Sequence, residues 1–390
     1  MNKNRSAIEK RIGIVGGGQL GKMMILEAKR LGFYVTTLDP AKDCPSHSIS
    51  DGLIIAEFDD SGAYIELAER SDVITYEFEH INSRALESLE RRGHTIYPSV
   101  TSLKVIQNKY TQNLKLSENG VPVPRFALAD GLESIKKLGK KENLGYPLML
   151  KTTLGGYDGK GNALVKSESS AEEAFRSLGG GKTEIMAEEF IDFDKEISII
   201  ACRGVNGDRV IYPAAENSHK DSILDTTVVP ARISPAALEK ATIIASRVME
   251  VFEGVGAFCV EMFVTRSGEV YVNEVAPRPH NSGHYTIEAC FANQFENHIR
   301  AVTGLPFGCV RLLRPAVMIN LLGQSEGPPR LSGLEETYLD PNVHIHFYGK
   351  SESKPGRKMG HLTAVGDTVE DALARAERAR KTVWVSGDFL

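Results

Sequence analysis

Residues 273–284 read Asn-Glu-Val-Ala-Pro-Arg-Pro-His-Asn-Ser-Gly-His. The stretch leaves a predicted strand as an acid and continues as a run of hydrogen-bonding and basic side chains, which is a poor composition for a hydrophobic core. Prolines flank Arg278 on both sides, and because each restricts φ they hold its guanidinium on a stiff support. This stretch is therefore the first candidate for a functional site.

The acid at the start of this stretch is predicted to lie on a β-hairpin. Two β-rich runs, residues 258–264 and 269–275, are separated by Thr-Arg-Ser-Gly. A two-residue loop would place Glu261 directly opposite Glu274, and a four-residue loop would place them diagonally. In both cases the two carboxylates share one face.

Two carboxylates in this arrangement repel each other by roughly 1 kcal/mol in water and about 4 kcal/mol near a protein surface, so the pair needs a proton or a cation. Oxygen ligands favour Mg²⁺, which usually arrives with substrate phosphates. The competing interpretation is a single solvated carboxylate on an edge strand.

Length and composition are those of a soluble globular protein. The 390 residues suggest two or three domains, and the hydrophobic content of 42% and charged content of 25% are ordinary. A net charge of −5 gives no general attraction to nucleic acid or to an anionic membrane. The first residues are polar, no apolar run approaches a membrane span, and five scattered cysteines lack metal-ligand spacing, so we expect a cytoplasmic protein.

The N-terminal segment is predicted to form a βαβ unit. A short apolar strand precedes Gly-Gly-Gly-Gln-Leu-Gly at 16–21, a helix follows, and a second strand ends at Asp39. Gly16, Gly18 and Gly21 match the dinucleotide fingerprint, with Asp39 as its downstream acid. The alternative is that these glycines only allow tight packing of the helix on the strand.

Further alternation of strands and helices predicts a parallel sheet. Thr-Tyr-Glu-Phe-Glu at 75–79 places acids at the carboxyl end of a strand, where ligands bind in such sheets, although a solvated loop acid would read the same way. A strand is predicted at 95–97 and one long helix at 101–119, and the prolines at 122 and 124 then mark a linker.

A glycine-rich loop at 155–161 is predicted to bind phosphate and to close as a lid. It lacks the Gly-Lys-Ser/Thr ending of a Walker A loop, so a nucleotide site here requires another fold. Strands at 185–191 and 196–203 are predicted to form the wall of a nucleotide cleft. A lone His219 is more often structural than catalytic.

Towards the C-terminus we predict a helix at 287–302, short strands and one helix at 368–382. The turn at 348–361 gathers basic side chains, which favours a phosphate site over a merely soluble hairpin surface. Its members are Lys350, Lys354, Arg357, Lys358 and His361.

Five motifs in this order are similar to those of the ATP-grasp superfamily, and within it the chain resembles the carboxyaminoimidazole ribonucleotide synthetase family. They are the glycine turn at 16–21, the acids at 75–79, Gly-Gly-Tyr-Asp-Gly-Lys-Gly at 155–161, the opening stretch at 273–284, and Tyr-Gly-Lys with Arg-Lys-Met-Gly-His at 348–350 and 357–361.

The resemblance implies an α/β and α+β architecture with an ATP-grasp fold. It implies an N-terminal Rossmann-like pre-ATP-grasp domain at 1–104, an ATP-grasp domain at 105–304 with a mobile lid subdomain at about 124–190, and a small β-rich C-terminal domain at 305–390. It also implies a homodimer that binds neither nucleic acid nor membrane.

The resemblance further implies an ATP-dependent ligase of purine biosynthesis that carboxylates 5-aminoimidazole ribonucleotide with bicarbonate through carboxyphosphate. Mg²⁺, with Mn²⁺ as a substitute, would be bound by Glu261 and Glu274. Arg278, Asp158 and Lys350 would be catalytic. The residues implied for ATP are Lys109, Lys151, Gly156, Tyr157, Asp158, Gly159, Lys160, Gly161, Asn162, Glu188, Glu189, Phe190, Ile191, Glu196, His219, Asn273 and Glu274. Those implied for the aminoimidazole ribonucleotide and its carboxyl donor are Gln19, Leu20, Glu77, Tyr157, Arg278, His280, Asn281, Ser282, Lys350 and Arg357.

The chain departs from the family pattern at Lys109 and Lys160, where arginine is common, and at Glu216 before Asn-x-His. Lysine keeps the charge but loses bidentate geometry. Three alternatives stay open: another ATP-grasp ligase such as a glycinamide ribonucleotide transformylase or a biotin carboxylase, a nicotinamide-dependent oxidoreductase resting on the glycine turn alone, and a non-catalytic nucleotide sensor.

Overall fold

The computed structural model describes residues 9–156 and 161–387, and its N-terminal part is a parallel sheet with strand order β3-β2-β1-β4. Buried apolar residues of β1, such as Ile12 and Ile14, pack beneath α1. The predicted strand at 95–97 is wrong, since only Ile96 bridges to Ile74. The elements are β1 (Arg11–Val15), α1 (Gln19–Arg30), β2 (Tyr34–Asp39), β3 (Gly52–Ile55), α2 (Ser61–Glu69), β4 (Val73–Tyr76) and α3 (Ser83–Arg91).

The predicted long helix at 101–119 is wrong, because two helices, α4 (Val100–Gln107) and α5 (Lys109–Glu118), meet at Asn108. Asn108 has extended backbone, and its side chain accepts hydrogen bonds from the backbone N–H groups of Tyr110 and Thr111. An asparagine that caps the second helix ends the first one. The break sets the start of α5, and with it Lys109, beside the site described below.

A second sheet, with order β5-β8-β6-β7, is antiparallel and buries Leu148, Leu150 and Ala187 against two short helices. The glycine-rich loop joins β6 to β7, and its residues 157–160 lie outside the described part. The elements are β5 (Phe126–Ala129), α6 (Leu132–Leu138), β6 (Leu148–Thr152), β7 (Asn162–Val165), a 3₁₀ turn (Glu168–Ser170), α7 (Ala171–Ser177) and β8 (Ile185–Glu189).

The central part of the chain builds the largest sheet. Its long helix, α8, begins with Ser234 as N-cap and Pro235 at its first turn, and packs Val248 and Met249 into the core under the sheet. The elements are β9 (Phe193–Arg203), β10 (Arg209–Ile211), β11 (Ala215–Lys220), β12 (Ile223–Val229), α8 (Pro235–Phe252), β13 (Gly256–Thr265) and β14 (Val270–Ala276).

The C-terminal strands continue this sheet, because β15 pairs with β12. The strand order is β14-β13-β9-β11-β12-β15-β18-β17, with β10 on β9. The predicted helix at 287–302 is wrong, since Cys290 is extended and Asn293 caps a new helix. The elements are a 3₁₀ turn (Asn281–Gly283), α9 (Thr286–Ala289), α10 (Gln294–Thr303), β15 (Ala316–Leu322), β16 (Arg330–Ser332), α11 (Leu334–Thr337), β17 (Val343–Phe347), β18 (Lys358–Val365), α12 (Val369–Thr382) and β19 (Trp384–Ser386).

Membrane-spanning helices were sought among the described residues, and none of the helices there combines enough length with enough apolar character.

Candidate active site

A cavity of about 980 Å³ opens between the antiparallel sheet β5–β8 and the large sheet. Most of the described residues singled out from the sequence line it. They are Gln19, Leu20, Glu77, Lys151, Gly156, Asn162, Glu188, Glu189, Phe190, Ile191, Glu196, His219, Glu261, Asn273, Glu274, Arg278, His280 and Asn281. Tyr157, Asp158, Gly159 and Lys160 lie outside the described residues, so the predictions made for them remain predictions.

A row of polar side chains crosses five strands of the large sheet, and its members Asn217, Glu261 and Glu274 form the floor of the cavity. Thr227 of β12 pairs with Asn217 of β11, Ser198 of β9 pairs with Glu261 of β13, and Glu261 pairs with Glu274 of β14. Residues that face each other across neighbouring strands project on one side of the sheet. The sheet therefore gathers side chains that are far apart in the sequence.

The pairing of Glu261 with Glu274 confirms that both carboxylates share one face, although neither predicted loop length is the one found. Near the turn the register is Val264 with Val270, which leaves three residues between Thr265 and Glu269. An irregularity in the ladder between Glu261 and Met262 then shifts the register by one residue. A β-bulge of this kind redirects side chains next to functional sites.

The two carboxylates of the floor are in different electrostatic states. The Lys109 ammonium lies 2.6 Å from a Glu274 oxygen, and this ion pair raises the Lys109 pKa although burial alone would lower it. Burial, followed by repulsion from Glu274, raises the pKa of Glu261 to about 7. Lys109 thus neutralises Glu274, while Glu261 keeps a demand for a proton or a cation.

A second lysine is held on the opposite wall. The Lys151 ammonium lies 2.6 Å from a Glu188 oxygen and donates to Asn273 Oδ1 at 3.0 Å. Glu188 also accepts from Asn113 Nδ2 at 2.7 Å. Each of the two lysines is therefore held in place by an acid that lines the cavity, although only Lys151 lines the cavity itself.

His219 forms an ion pair with Glu196 at the same cavity. Burial would lower the pKa of His219, but its bond to Glu196 raises the pKa above the usual value. A charged or strongly polarised imidazole therefore lines the wall beside Glu196.

Arg278 is anchored by the acid that ends the motif at 75–79. Its Nε lies 2.5 Å and its Nη2 3.1 Å from the two Glu79 oxygens, which is a bidentate pair. Burial would raise the pKa of Glu79, but Arg278 outweighs burial and lowers it to about 2. The guanidinium consequently stays fixed at the cavity wall with one edge committed to Glu79.

The glycine turn is occupied by the protein's own carboxylates. Glu77 accepts from the backbone N–H groups of Gly18 and Gly21 at 2.6 and 2.7 Å, and Asp39 accepts from that of Gly17 at 2.7 Å. A Cβ on Gly18 would lie only 2.5 Å from a Glu77 oxygen. These amides already bind anions, which argues against the dinucleotide interpretation.

Five described residues predicted for ligands do not line the cavity: Lys109, Gly161, Ser282, Lys350 and Arg357. Ser282 is fully buried beneath His280. Lys350 donates to the carbonyl of Lys358 at 2.7 Å, and Arg357 donates to that of Glu352 at 2.6 Å. In the basic turn it is Lys358 that lines the cavity.

Sequence reasoning missed two residues that organise the site, Asn113 and Ser198, and did not single out a third, Lys358. Asn113 lies four positions after Lys109, a spacing that places both on one face of α5. Lys358 was grouped with other cations without distinction. Ser198 carries no local signal, because its importance comes from strand pairing.

Comparison with known proteins covers nearly the whole chain. The family profiles that match are the ribonucleotide synthetase preATP-grasp domain at residues 9–107, the ATP-grasp domain at 114–295 and the phosphoribosylaminoimidazole carboxylase C-terminal domain at 316–375. The N5-carboxyaminoimidazole ribonucleotide synthase of Staphylococcus aureus (strain COL) is 41% identical over 384 residues, which cover 97% of this chain and 99% of that protein. The chain belongs to the N5-carboxyaminoimidazole ribonucleotide synthase family.

Solved structures of this synthase family show the same fold. The Thermotoga maritima enzyme superposes with a TM-score of 0.88 at 45% identity, covering 97% of this chain and 100% of that one. The Aspergillus clavatus synthase in complex with ADP and 5-aminoimidazole ribonucleotide superposes with a TM-score of 0.88 at 33% identity, covering 96% and 99%. The predicted family and the ATP-grasp fold with a preATP-grasp domain are confirmed.

Proposed function

We propose that the chain carboxylates 5-aminoimidazole ribonucleotide with bicarbonate at the expense of ATP, giving N5-carboxyaminoimidazole ribonucleotide, ADP and phosphate. The observation that carries the proposal is one cavity lined by an anchored lysine, two facing carboxylates and an anchored arginine, with a second lysine, Lys109, paired to one of those carboxylates. Such a set can hold a nucleotide triphosphate and a small oxyanion side by side.

ATP would lie between the two sheets. Lys109 and Lys151 would contact its phosphates, residues 188–191 its adenine and Glu196 its ribose, with His219 and Asn273 completing the site. Gly156, Gly161 and Asn162 flank the part of the glycine-rich loop that would cover the phosphates. Both lysines are held by acids before any nucleotide arrives, so little ordering is left for binding to supply.

The facing carboxylates fit a divalent cation. Glu261 and Glu274 offer only oxygen ligands, and the pKa of Glu261 is raised by burial and by Glu274 when no ion is near. Mg²⁺ or Mn²⁺ would be held there and, when bound with ATP, would neutralise charge on the transferred phosphoryl group.

Arg278 would hold bicarbonate beside the γ-phosphate. A bicarbonate oxygen attacks the γ-phosphorus, the bond to the bridging oxygen of ADP breaks, and carboxyphosphate forms. The exocyclic amine then attacks the carboxyl carbon, the bond to phosphate breaks, and the amine loses a proton. Because Glu79 fixes the guanidinium in advance, Arg278 can stabilise the developing charge without reorganising.

The acceptor would lie at the N-terminal rim, where Gln19, Leu20 and Glu77 meet Arg278 and His280. Lys350 and Arg357 would contribute from the C-terminal turn, and Asp158 is the proposed acceptor of the amine proton. The family resemblance also leads us to propose a cytoplasmic homodimer with domain limits near residues 104 and 304.

The test is ADP formation measured with ATP, Mg²⁺ and bicarbonate while the amine is varied. We expect 5-aminoimidazole ribonucleotide to stimulate ADP release and glycinamide ribonucleotide or biotin to leave it at background. Stimulation by another amine would favour another ATP-grasp ligase, and binding of ATP without any stimulation would favour a nucleotide sensor.

Glu274→Gln removes one carboxylate from the floor and should lower acceptor-dependent ADP formation by at least about 100-fold, because both the cation and Lys109 lose a partner. Glu269→Gln is the matched control, since Glu269 lies on the same hairpin but is exposed and paired with Lys240. Normal turnover by Glu274→Gln in a folded protein would remove the metal assignment.

A further inference from the structure

A line of buried hydrogen bonds runs under the cavity floor and ends at the His280 ring. Thr227 Oγ1 donates to Asn217 Oδ1 at 3.0 Å, Asn217 Nδ2 donates to Ser198 Oγ at 2.9 Å, and Ser198 Oγ donates to Ser282 Oγ at 2.7 Å. Ser282 Oγ lies 2.9 Å from His280 Nδ1. The four residues that lead to His280 are buried, so water does not compete for these bonds.

The direction of this line is determined at the histidine end. The backbone N–H of Ser282 lies 3.3 Å from His280 Nδ1 and can only donate. Nδ1 must therefore present its lone pair, and the imidazole is neither the cation nor the tautomer protonated on Nδ1. The hydroxyl of Ser282 already accepts from Ser198, which leaves its single proton for the same nitrogen.

The opposite end agrees with this direction. Asn217 pairs with Thr227 across β11 and β12, and its amide nitrogen faces Ser198 while its oxygen accepts from the threonine. An amide nitrogen has no lone pair to offer, so Ser198 must donate onward. Every bond in the line thus points toward His280.

We propose that Thr227, Asn217, Ser198 and Ser282 form a positioning relay that holds neutral His280 with its proton on Nε2, as a hydrogen-bond donor toward the cavity. Nε2 is the ring atom that faces Glu261, at 3.6 Å from its nearer oxygen. The proposal deepens the proposed function: the donor would serve an oxygen of bicarbonate or of its phosphorylated form, next to Arg278. In this state His280 cannot take a proton through Nε2.

The relay also decides what the neighbouring Cys259 can do. Ligand atoms of Cys259, Glu261 and His280 lie within 4.8 Å of one another, a set that would suit a thiophilic metal if all three offered lone pairs. With Nε2 protonated and the Nδ1 lone pair accepting from Ser282, the His280 ring offers none. The relay therefore keeps His280 out of the ligand set of a cation at Glu261.

The tautomer is measured directly by nitrogen NMR of the full chain labelled with ¹⁵N-histidine, without substrates. The His280 signals are identified by their loss in His280→Gln. We expect the wild-type ring to show a protonated Nε2 and an unprotonated Nδ1. A ring protonated on Nδ1 would overturn the relay, whatever the enzyme turns over.

Asn217→Asp is the decisive variant because it has nearly the same shape but replaces the amide donor by an acceptor. Ser198 would then donate to Asp, the relay would reverse, and a population protonated on Nδ1 should appear. Turnover should fall about 10- to 100-fold with the KM for ATP within about twofold, as expected when one preorganised donor is lost. An unchanged tautomer with unchanged turnover would overturn the proposal.

A second pair of variants tests the relay even if Asn217→Asp does not fold. Thr227→Val removes the hydroxyl that orients the Asn217 amide while retaining its volume, and Thr227→Ser retains the hydroxyl. We expect tautomer mixing and reduced turnover in Thr227→Val only. Identical tautomers in the two variants would contradict the relay. Because NMR reads the ring without substrate, failure of the relay and failure of the proposed reaction are distinguishable.

Discussion

Glu79 and Glu261 line the same cavity, yet their electrostatic environments are opposite. Burial raises the pKa of both carboxyls. At Glu79 the Arg278 guanidinium reverses that effect and lowers the pKa to about 2, whereas at Glu261 the facing Glu274 adds to it and the pKa rises to about 7. The sign of the nearest partner, and not the degree of burial, separates the two acids.

The difference assigns the two acids different roles. Glu79 is charged at every physiological pH and forms a fixed support for Arg278. Glu261 is close to half-protonated at neutral pH, so it gains most from a cation that arrives with substrate. Glutamate can therefore support a rigid anion receptor when an arginine faces it, and can form a cation site when another carboxylate faces it.

Loss of the ion pair between Glu79 and Arg278 should cause the largest loss of folding stability. Glu79→Gln leaves the buried Arg278 guanidinium without its bidentate partner, and we expect the free energy of unfolding in urea to fall by about 3 kcal/mol. Glu66→Gln is the control, because Glu66 pairs with Arg70 on an exposed face of α2 and should cost about 0.5 kcal/mol or less. Similar losses in the two variants would contradict a special role for the buried pair.

The contribution of Glu261 to folding stability should change with pH in the opposite sense to that of a carboxylate paired with a cation. The pKa of Glu261 is about 7 in the folded protein against an ordinary value of 4.5, so the folded state binds the proton more tightly and loses stability as pH rises from about 4.5 through 7. Glu261→Gln carries no such charge. In metal-free buffer it should become more stable than wild type by about 3 kcal/mol at pH 8 and by little at pH 4.5.

Urea unfolding of both proteins at several pH values checks this prediction. Parallel stability curves would show that Glu261 is not strained by its neighbour. Addition of Mg²⁺ should reduce the difference in stability between wild type and Glu261→Gln at high pH. A bound cation favours the ionised carboxylate, which only the wild type has.

Only one half of the contrast between Glu79 and Glu261 could be predicted from the sequence, namely the pairing of Glu261 with Glu274. The hairpin is a local structure, so turn residues and alternation were enough to place Glu261 and Glu274 on one face, even though the loop length was wrong and a bulge corrected the register. The end of strand β2 at Asp39 and helix α12 were predicted correctly for the same reason. Elements that depend on neighbours in the sequence leave a sequence signal.

Contacts between distant parts of the chain left no signal in the sequence. Glu79 lies 199 residues from Arg278 and Glu77 lies 56 residues from Gly21, so the pairing that decides their charge exists only after folding. The break at Asn108 was missed because an asparagine between two apolar-periodic runs also fits inside one long helix. Tertiary context, here the docking of Lys109 against Glu274, favours the broken form.

Glu216, which precedes Asn217, extends the comparison to a third buried acid and should give the smallest effect. Burial would raise its pKa, but Arg232 and Lys195 lower it to about 2 from an ordinary 4.5. Its stabilisation is therefore complete above about pH 4.5 and is lost as pH falls toward 2. Arg232 is 47% exposed, so solvent screening should limit the gain to about 1 kcal/mol.

Glu216→Gln should thus be less stable than wild type at pH 6 and equal to it near pH 2, the reverse of the pattern for Glu261→Gln. Urea unfolding across this range measures the difference, with Glu239→Gln on the exposed side of α8 as the control. If Glu216→Gln and Glu261→Gln shifted stability in the same direction with pH, the sign of the facing charge could not be what sets the pKa of these acids, because cations face Glu216 whereas another carboxylate faces Glu261.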